Sequence, residues 1–347
     1  MRKILGGALV ALVLLVPAAR AEEGAPDAYR ISGPVTHDNL AIYLVHGKSA
    51  PGPVLLTLQE ALAQAKAKVH EKGDVNELEI ENVGDKEVFV QAGDIVKGGQ
   101  QDRVLSVSLI VPPKSGRMPI AAFCVEPRRW TKRGAEDAKN FGSADAMMPS
   151  KQSKLVMAKP APAPQPAGTP VEESDPQQKV WSDVARIQGK LSANIGSPVA
   201  APQSQSSLEL SLENKSLEKA EAPYVAALKP AGESDDDIVG YVMAVNGKLA
   251  TADLYPWNGL FRKMWPKLLR ASVTEALAER DGAAAAAALP STADAQSFLD
   301  RGGKAPASTS KLTREVSQKK RETADMLAVE TERRSDGSWL YRSYIAK

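Results

Sequence analysis

The chain has 347 residues, 43% of them hydrophobic, with 44 basic and 42 acidic side chains. That near balance leaves no electrostatic footprint for nucleic acid or an acidic membrane surface. A single cysteine, Cys124, excludes a disulfide within the chain, so stability must come from a core, built as one large domain or two ordinary ones.

The first 21 residues, "MRKILGGALVALVLLVPAARA", have the parts of a secretory signal. Arg2 and Lys3 form a basic start, Ile4 to Val16 an apolar stretch, and Ala19-Arg20-Ala21 a small-x-small cleavage site. The apolar stretch falls short of the ~20 residues that span a bilayer, and no later run reaches that length. The expectation is cleavage near Ala21 and a periplasmic or extracellular mature chain. Removing Arg2, Lys3 and Arg20 leaves 41 basic against 42 acidic residues.

From about Tyr29 to Val125 the apolar pattern has period two, the signature of strands. "NLAIYL" puts Leu40, Ile42 and Leu44 on one face. Thr57 and Glu60 have the spacing of a capping box, which predicts a short helix from Thr57 to about Ala67. "NELEIENVGDKEVFV" reads as two strands joined near Gly84-Asp85. "VLSVSLIV" places Leu105, Val107, Leu109 and Val111 on one face, with Ser106 and Ser108 on the other. "MPIAAFCV" is a further strand. If strands near 87–91, 104–111 and 118–125 form a meander, the Asp94–Arg103 loop meets "CVEPRRW" (Cys124 to Trp130) at one sheet edge.

Residues 131–177 read as a flexible, disordered proline-rich insertion between a β-rich half (22–130) and an α/β half (178–347). "QKVWSDVARIQGKLSANI" has Val180, Val184, Ile187 and Leu191 at helical spacing, with Trp181 beside them. A second helix is predicted from Leu212 to Ala227. Asn246-Gly247 marks a hairpin with a type I′ turn. "NGLFRKMWPKLLRASVTEALAER" reads as a helix that Pro266 must kink or restart. The alanine run at 283–288 extends a helix, "STADAQSFLDR" forms another, and "MLAVETERRSDGSWLYRSYI" near the chain end forms a hairpin turning at Asp336-Gly337. The architecture expected is α+β, mainly antiparallel β-sheet with packed helices.

The order of "VNELEIENVGDKEVFVQAGDIVKGGQQDR", "CVEPRRW", "QKVWSDV", "GYVMAVNGKLATADLY" and "WPKLLRASVTEAL" resembles that of one family. It is the ADP-ribosylglycohydrolase- and rhodanese-phosphatase-associated protein domain family. The resemblance is strong over about 75–130 and 178–281 and weaker to the final hairpin. It implies a link to NAD or ADP-ribose metabolism and names no reaction or cofactor. Gly93, Asp94, Gly98, Gln101, Arg103, Cys124, Glu126, Arg129 and Trp130 match motif positions, as do Trp181, Asn246, Gly247, Leu268 and Leu269. Two departures stand out: the proline-rich stretch after Trp130, and Ala271-Ser272 where the family has a polar-aromatic pair.

The chemistry read from these residues centres on the converging edge. Gly98 and Gly99 suit a backbone nest for an anion, Lys97, Arg103 and Arg129 could add charge for phosphate or carboxylate, Gln101 could hydrogen-bond the ligand, and Trp130 could stack a base or sugar. Asp94 and Glu126, facing each other, would serve as an acid–base pair or share a divalent cation. The plainer reading pairs Asp94 with Lys97 or Arg103, and Glu126 with Arg128 or Arg129. Cys124 alternates with Ala122 and Ile120 and reads better as a buried thiol than as a nucleophile. His37, His46 and His70 have no local partner pattern, and no zinc, GxSxG or dinucleotide-binding motif is present. The expected function is binding of a small anionic ligand at this edge, ADP-ribose- or phosphate-bearing by family association, with hydrolysis there as the enzyme version. The alternative is a non-catalytic cell-envelope module whose partner is an envelope protein.

Overall fold

Leu40–His46 (β2) is buried at every position, which only a central strand covered on both faces allows. In the computed structural model, which describes residues 29–159, 175–281 and 288–347, β2 lies inside an eight-stranded antiparallel sheet. The expected signal, most of the proline-rich stretch and nearly all of the alanine run lie outside the described residues. Leu40, Ile42 and Leu44 share the larger core, as their alternation predicts; Ala41, Tyr43 and Val45 join a second cluster on the opposite face.

The large sheet has β1 (Arg30–His37) at one edge, then β2, β12 (Ile238–Val245), β13 (Lys248–Leu254), β17 (Trp339–Ala346), β16 (Met326–Arg333), β15 (Val316–Glu322) and β14 (Ala307–Lys311). Strands from both halves of the chain therefore share one sheet. Asn246 and Gly247 turn β12 into β13 with φ values of 52° and 72°, the pair of positive angles that a type I′ turn needs. The smaller core cluster is capped by α7 (Thr292–Lys304), whose Phe298 and Leu299 are buried there. On the other face lie α5 (Lys215–Leu228) and α6 (Asn258–Ala278).

A second unit is a closed six-stranded barrel: β10 (Gly116–Cys124), β5 (Glu77–Asn82), β4 (Ala67–His70), β11 (Asn140–Met147), β7 (Asp94–Gly98) and β8 (Arg103–Leu105). Between the two sits a small sheet of β3 (Leu56–Thr57), β6 (Val88–Val90) and β9 (Leu109–Val111), where β3 and β6 pair in parallel. Three further helices flank these sheets: α1 (Leu58–Ala63), α2 (Lys151–Met157) and α3 (Pro176–Ile195), with the short α4 (Leu208–Leu212) between α3 and α5. Thr57 and Glu60 form the predicted capping box, with bonds of 3.1 and 2.9 Å. The fold is α+β and mainly antiparallel.

Several expectations change in detail. Residues 104–111 are not one strand: the chain leaves the barrel after β8 and joins the small sheet as β9, so Ser106 and Ser108 are buried at the crossing. Residues 140–147 and 151–157, placed in a flexible insertion by their weak periodicity, form β11 and α2. Phe141 supplies the reason, pairing with Val69 of β4 and Gly98 of β7 to close the barrel. The helix expected over 212–227 starts three residues later, as α5 capped by Asn214, and Leu212 instead ends the short α4. α6 runs through Pro266 without a break; a proline removes one backbone bond, and the buried Trp265, Lys267 and Leu268 hold the helix on either side.

Gly99 marks how tightly this barrel is closed. Its φ is +53°, and a Cβ there would lie 2.3 Å from the Phe141 ring. Gly99→Ala is expected to cost about 2–4 kcal/mol through overpacking and left-handed backbone together. A urea-unfolding midpoint that falls with an unchanged m-value is the readout.

Candidate functional site

The β7–β8 hairpin and the chain after β10 do meet. Arg103 of β8 pairs with Cys124 of β10, and the Val125 N–H donates to the Asp102 carbonyl at 3.1 Å. What meets there is an ion cluster already complete in itself. Asp102 and Glu126 have no exposed side-chain surface. The Asp102 carboxylate accepts from Arg133 (2.9 and 3.2 Å), from the Ser207 hydroxyl (2.9 Å) and from the Gly98 N–H (3.0 Å). Glu126 is held by Arg129 at 2.6 Å and Arg133 at 3.1 Å, and accepts the Asp102 N–H at 3.1 Å.

The anion expected in the glycine nest is thus the protein's own Asp102. Gly98 and Gly99 do take positive φ, but the Gly99 N–H donates to the Asp137 carbonyl. Gln101 donates to the Glu126 carbonyl at 3.2 Å. Arg103, fully buried, donates to the Gln101 carbonyl at 2.9 Å, lies 3.8 Å from Glu71 and sits beneath the Trp130 ring at 5.6 Å. Lys97 pairs with Glu213.

Asp94 is not brought to Glu126. It starts β7 at the end away from Gly98, accepts the Gln91 N–H at 3.0 Å and pairs with Lys267 of α6 at 3.0 Å. Each carboxylate therefore has a cation, though Lys267 and Arg133 were not among those anticipated. Cys124 is fully buried; burial raises its pKa, and its Sγ accepts the Glu126 N–H at 3.3 Å. Among the described residues, no group of three or more His, Cys, Asp or Glu is arranged to hold a metal ion. None of the described helices is long and apolar enough to cross a membrane.

One group at this corner stays without a partner. Glu209 of α4 is 1% exposed and neither carboxyl oxygen has a hydrogen bond. Burial, with Glu213 and Asp102 nearby, pushes its pKa up to about 8 against the pull of Lys97 and Lys267.

A second polar site lies where β8 crosses to β9. A cavity of about 40 Å³ opens there between the barrel crossing, α2 and the β15–β17 face of the large sheet. Ser106 and Gln318, each 6% exposed, line it with no side-chain hydrogen bond, beside Lys154 and the apolar Met157, Val329 and Ile345. Lys154 also lies in Coulombic range of Glu275. The floor is a hydroxyl–amide chain: Tyr255 donates to Gln91 (2.5 Å), Gln91 to Tyr341 (3.2 Å), and Tyr341 to Asp253. Burial holds Tyr255 and Tyr341 well above the usual phenol range, so this floor stays protonated. Alternation placed Ser106 opposite the apolar face without saying what it would meet, and Gln318 falls in a stretch with no strand signal.

The histidines lie away from both places. His70 pairs with Glu81, His37 packs on Tyr224, and His46 of β2 contacts Ser32 and Asp237.

Glu209 has a measurable consequence. Below its unfolded pKa of 4.5 both states are protonated and burial of the acid costs nothing electrostatic. Between there and about 8 the folded state keeps a proton that the unfolded state releases, so stability falls as pH rises, then levels off. Glu209→Gln is expected to match the parent at pH 4 and exceed it on the order of 4 kcal/mol at pH 9, read by urea unfolding.

The family model of the ARG and Rhodanese-Phosphatase-superfamily-associated Protein domain matches residues 28–345, nearly all of the described structure. No curated protein and no solved structure matches the chain. The match runs through the large sheet, the barrel and the corner between them. The chain belongs to the ARG and Rhodanese-Phosphatase-superfamily-associated Protein domain family.

Proposed function

We propose that the chain is an exported recognition protein for a small anionic ligand, and that it binds this ligand in the Gln318 cavity rather than at the Asp102–Glu126 corner. The carrying observation is Gln318: a side-chain amide nine-tenths buried, unpartnered, and opening into a cavity beside an ammonium group. Neither the Gln318 amide nor the Ser106 hydroxyl is used in a hydrogen bond within the protein, so both are free to pair with an occupant of the cavity.

The chemistry of the occupant follows from the wall. Lys154, the Gln318 amide and the Ser106 hydroxyl supply donors, and Met157, Val329 and Ile345 supply an apolar side. Together these favour a small carboxylate with a short apolar tail. At roughly 10–15 Å³ per water, the cavity has room for about three waters, or for a ligand of similar size. A nucleotide would need the cavity to open. The corner is the weaker place for an anion, since a ligand there must displace Asp102 or Glu126 from two guanidinium groups. Export rests on the signal-like first 21 residues.

The test is thermal unfolding of the full chain with formate, acetate, propionate, lactate, phosphate, NAD and ADP-ribose. A small carboxylate at a hundred times its Kd adds about 2.7 kcal/mol, a shift of several degrees, and Gln318→Leu and Lys154→Met remove that shift. Glu126→Gln lowers the baseline by about 3–5 kcal/mol, because two guanidinium groups lose a buried partner, yet keeps the ligand shift. A shift that persists in Gln318→Leu and Lys154→Met but vanishes in Asp94→Asn or Glu126→Gln would return the ligand to the corner. No shift from any compound would favour the envelope-module reading.

A further inference from the structure

The outer edge of the large sheet carries an arrangement that neither the corner nor the cavity uses. On β2, His46 is 4% exposed and makes two short side-chain contacts. Its Nε2 lies 2.7 Å from the Ser32 hydroxyl of β1, and its Nδ1 lies 2.7 Å from Asp237 Oδ1, just before β12. Ser32 and His46, 14 positions apart in the β1–β2 hairpin, are thus joined to Asp237, 191 positions on, in the order hydroxyl, imidazole, carboxylate. We propose that Ser32, His46 and Asp237 form a nucleophilic hydrolase site, acting on small acyl esters at the edge strand β1.

The roles follow from the contacts. The Nδ1–H of His46 donates a hydrogen bond to Asp237, which leaves the Nε2 lone pair directed at Ser32. Ser32 Oγ then attacks the ester carbonyl carbon while its proton passes to Nε2. Collapse of the tetrahedral adduct breaks the bond to the alkoxy oxygen, which leaves as the alcohol with the proton from Nε2. Water attacks the acyl-Ser32 ester and gives a proton to Nε2. The acid departs and Ser32 Oγ recovers its proton. Net, one ester and one water give one acid and one alcohol, and His46 ends as it began.

Access and local structure agree with this use. Ser32 is half-buried on the edge strand, so the hydroxyl is reachable from solvent while the imidazole behind it is not. The β1–β2 register shifts between Ser32 and Val35, a bulge beside the proposed nucleophile. Arg30, two residues before Ser32 and so on the same face, lies 3.3 Å from Asp237 Oδ2 and is 64% exposed. One nitrogen makes that contact, leaving other donors of the fork for a negatively charged group next to the ester. An ester with a neighbouring carboxylate is therefore the preferred substrate.

The hypothesis is tested on the full chain with p-nitrophenyl acetate, p-nitrophenyl hemisuccinate and a fluorophosphonate probe, located by peptide mass. Expected results are label on Ser32, turnover above the buffer rate, and lower KM for the hemisuccinate, lost in Arg30→Ala. Ser32→Ala, at a half-buried position, should fold as the parent does and lose label and at least about a hundredfold in kcat. Asp237 acts through His46, so Asp237→Asn should lower kcat with KM unchanged, which loss of a surface ion pair alone would not do. Turnover equal in parent and Ser32→Ala, or label elsewhere than Ser32, overturns the proposal.

Discussion

The barrel end depends on one carboxylate. Asp102 is fully buried, and it gathers the end of β7 through the Gly98 N–H, the 126–133 loop through two arginines, and α4 through Ser207. A buried carboxylate persists only when such donors surround it, because desolvation of an isolated charge exceeds any packing gain. Glu126 repeats the pattern one strand away and shares both guanidinium groups. The positive φ of Gly98 and Gly99 serves this arrangement, turning the backbone so that the Gly98 N–H reaches Asp102.

That constraint explains what was legible from sequence. Period-two alternation located the strands, and Asn246-Gly247, Thr57-Glu60 and Asp336-Gly337 fixed their local punctuation, because each of those signals acts within a few residues. Convergence of the Asp94–Arg103 and Cys124–Trp130 stretches was also legible, and the two do meet, though by a β8–β10 pairing rather than by a three-strand meander. Partner identity was not legible. Lys267 reaches Asp94 across 173 positions, and Ser207 reaches Asp102 across 105. Arg133 was lost because its neighbourhood has weak periodicity and stands next to a proline-rich run. No spacing rule could have joined Ser32, His46 and Asp237.

Polar residues in this structure separate into two kinds. The corner carboxylates Asp102 and Glu126 have their hydrogen bonds, so removing one exposes its guanidinium partners to a low-dielectric interior; their substitution speaks about stability. Glu209 is buried without a hydrogen bond, Gln318 and Ser106 line the cavity without one, and Ser32 on the edge strand meets a buried His46. The distinction matters for reading function, since an interior charge cluster and a binding site look alike in sequence: both are rich in glycine, arginine and carboxylate. Only the hydrogen-bond count tells them apart.

The position of the unpartnered groups is not arbitrary with respect to the fold. Gln318 and Ser106 lie where the barrel strand β8 crosses into the small sheet and meets the far strands of the large one, a junction that three sheets approach and none fills. Gln318 sits mid-strand, with Ser310 and Thr331 as its ladder partners, and its side chain lines the seam. Ser32 and His46 sit at the opposite extreme, on the outermost pair of strands, where no further strand among the described residues pairs with the outer side of β1. The cavity thus lies at the seam between sheets, and the Ser32–His46 contact at the edge strand.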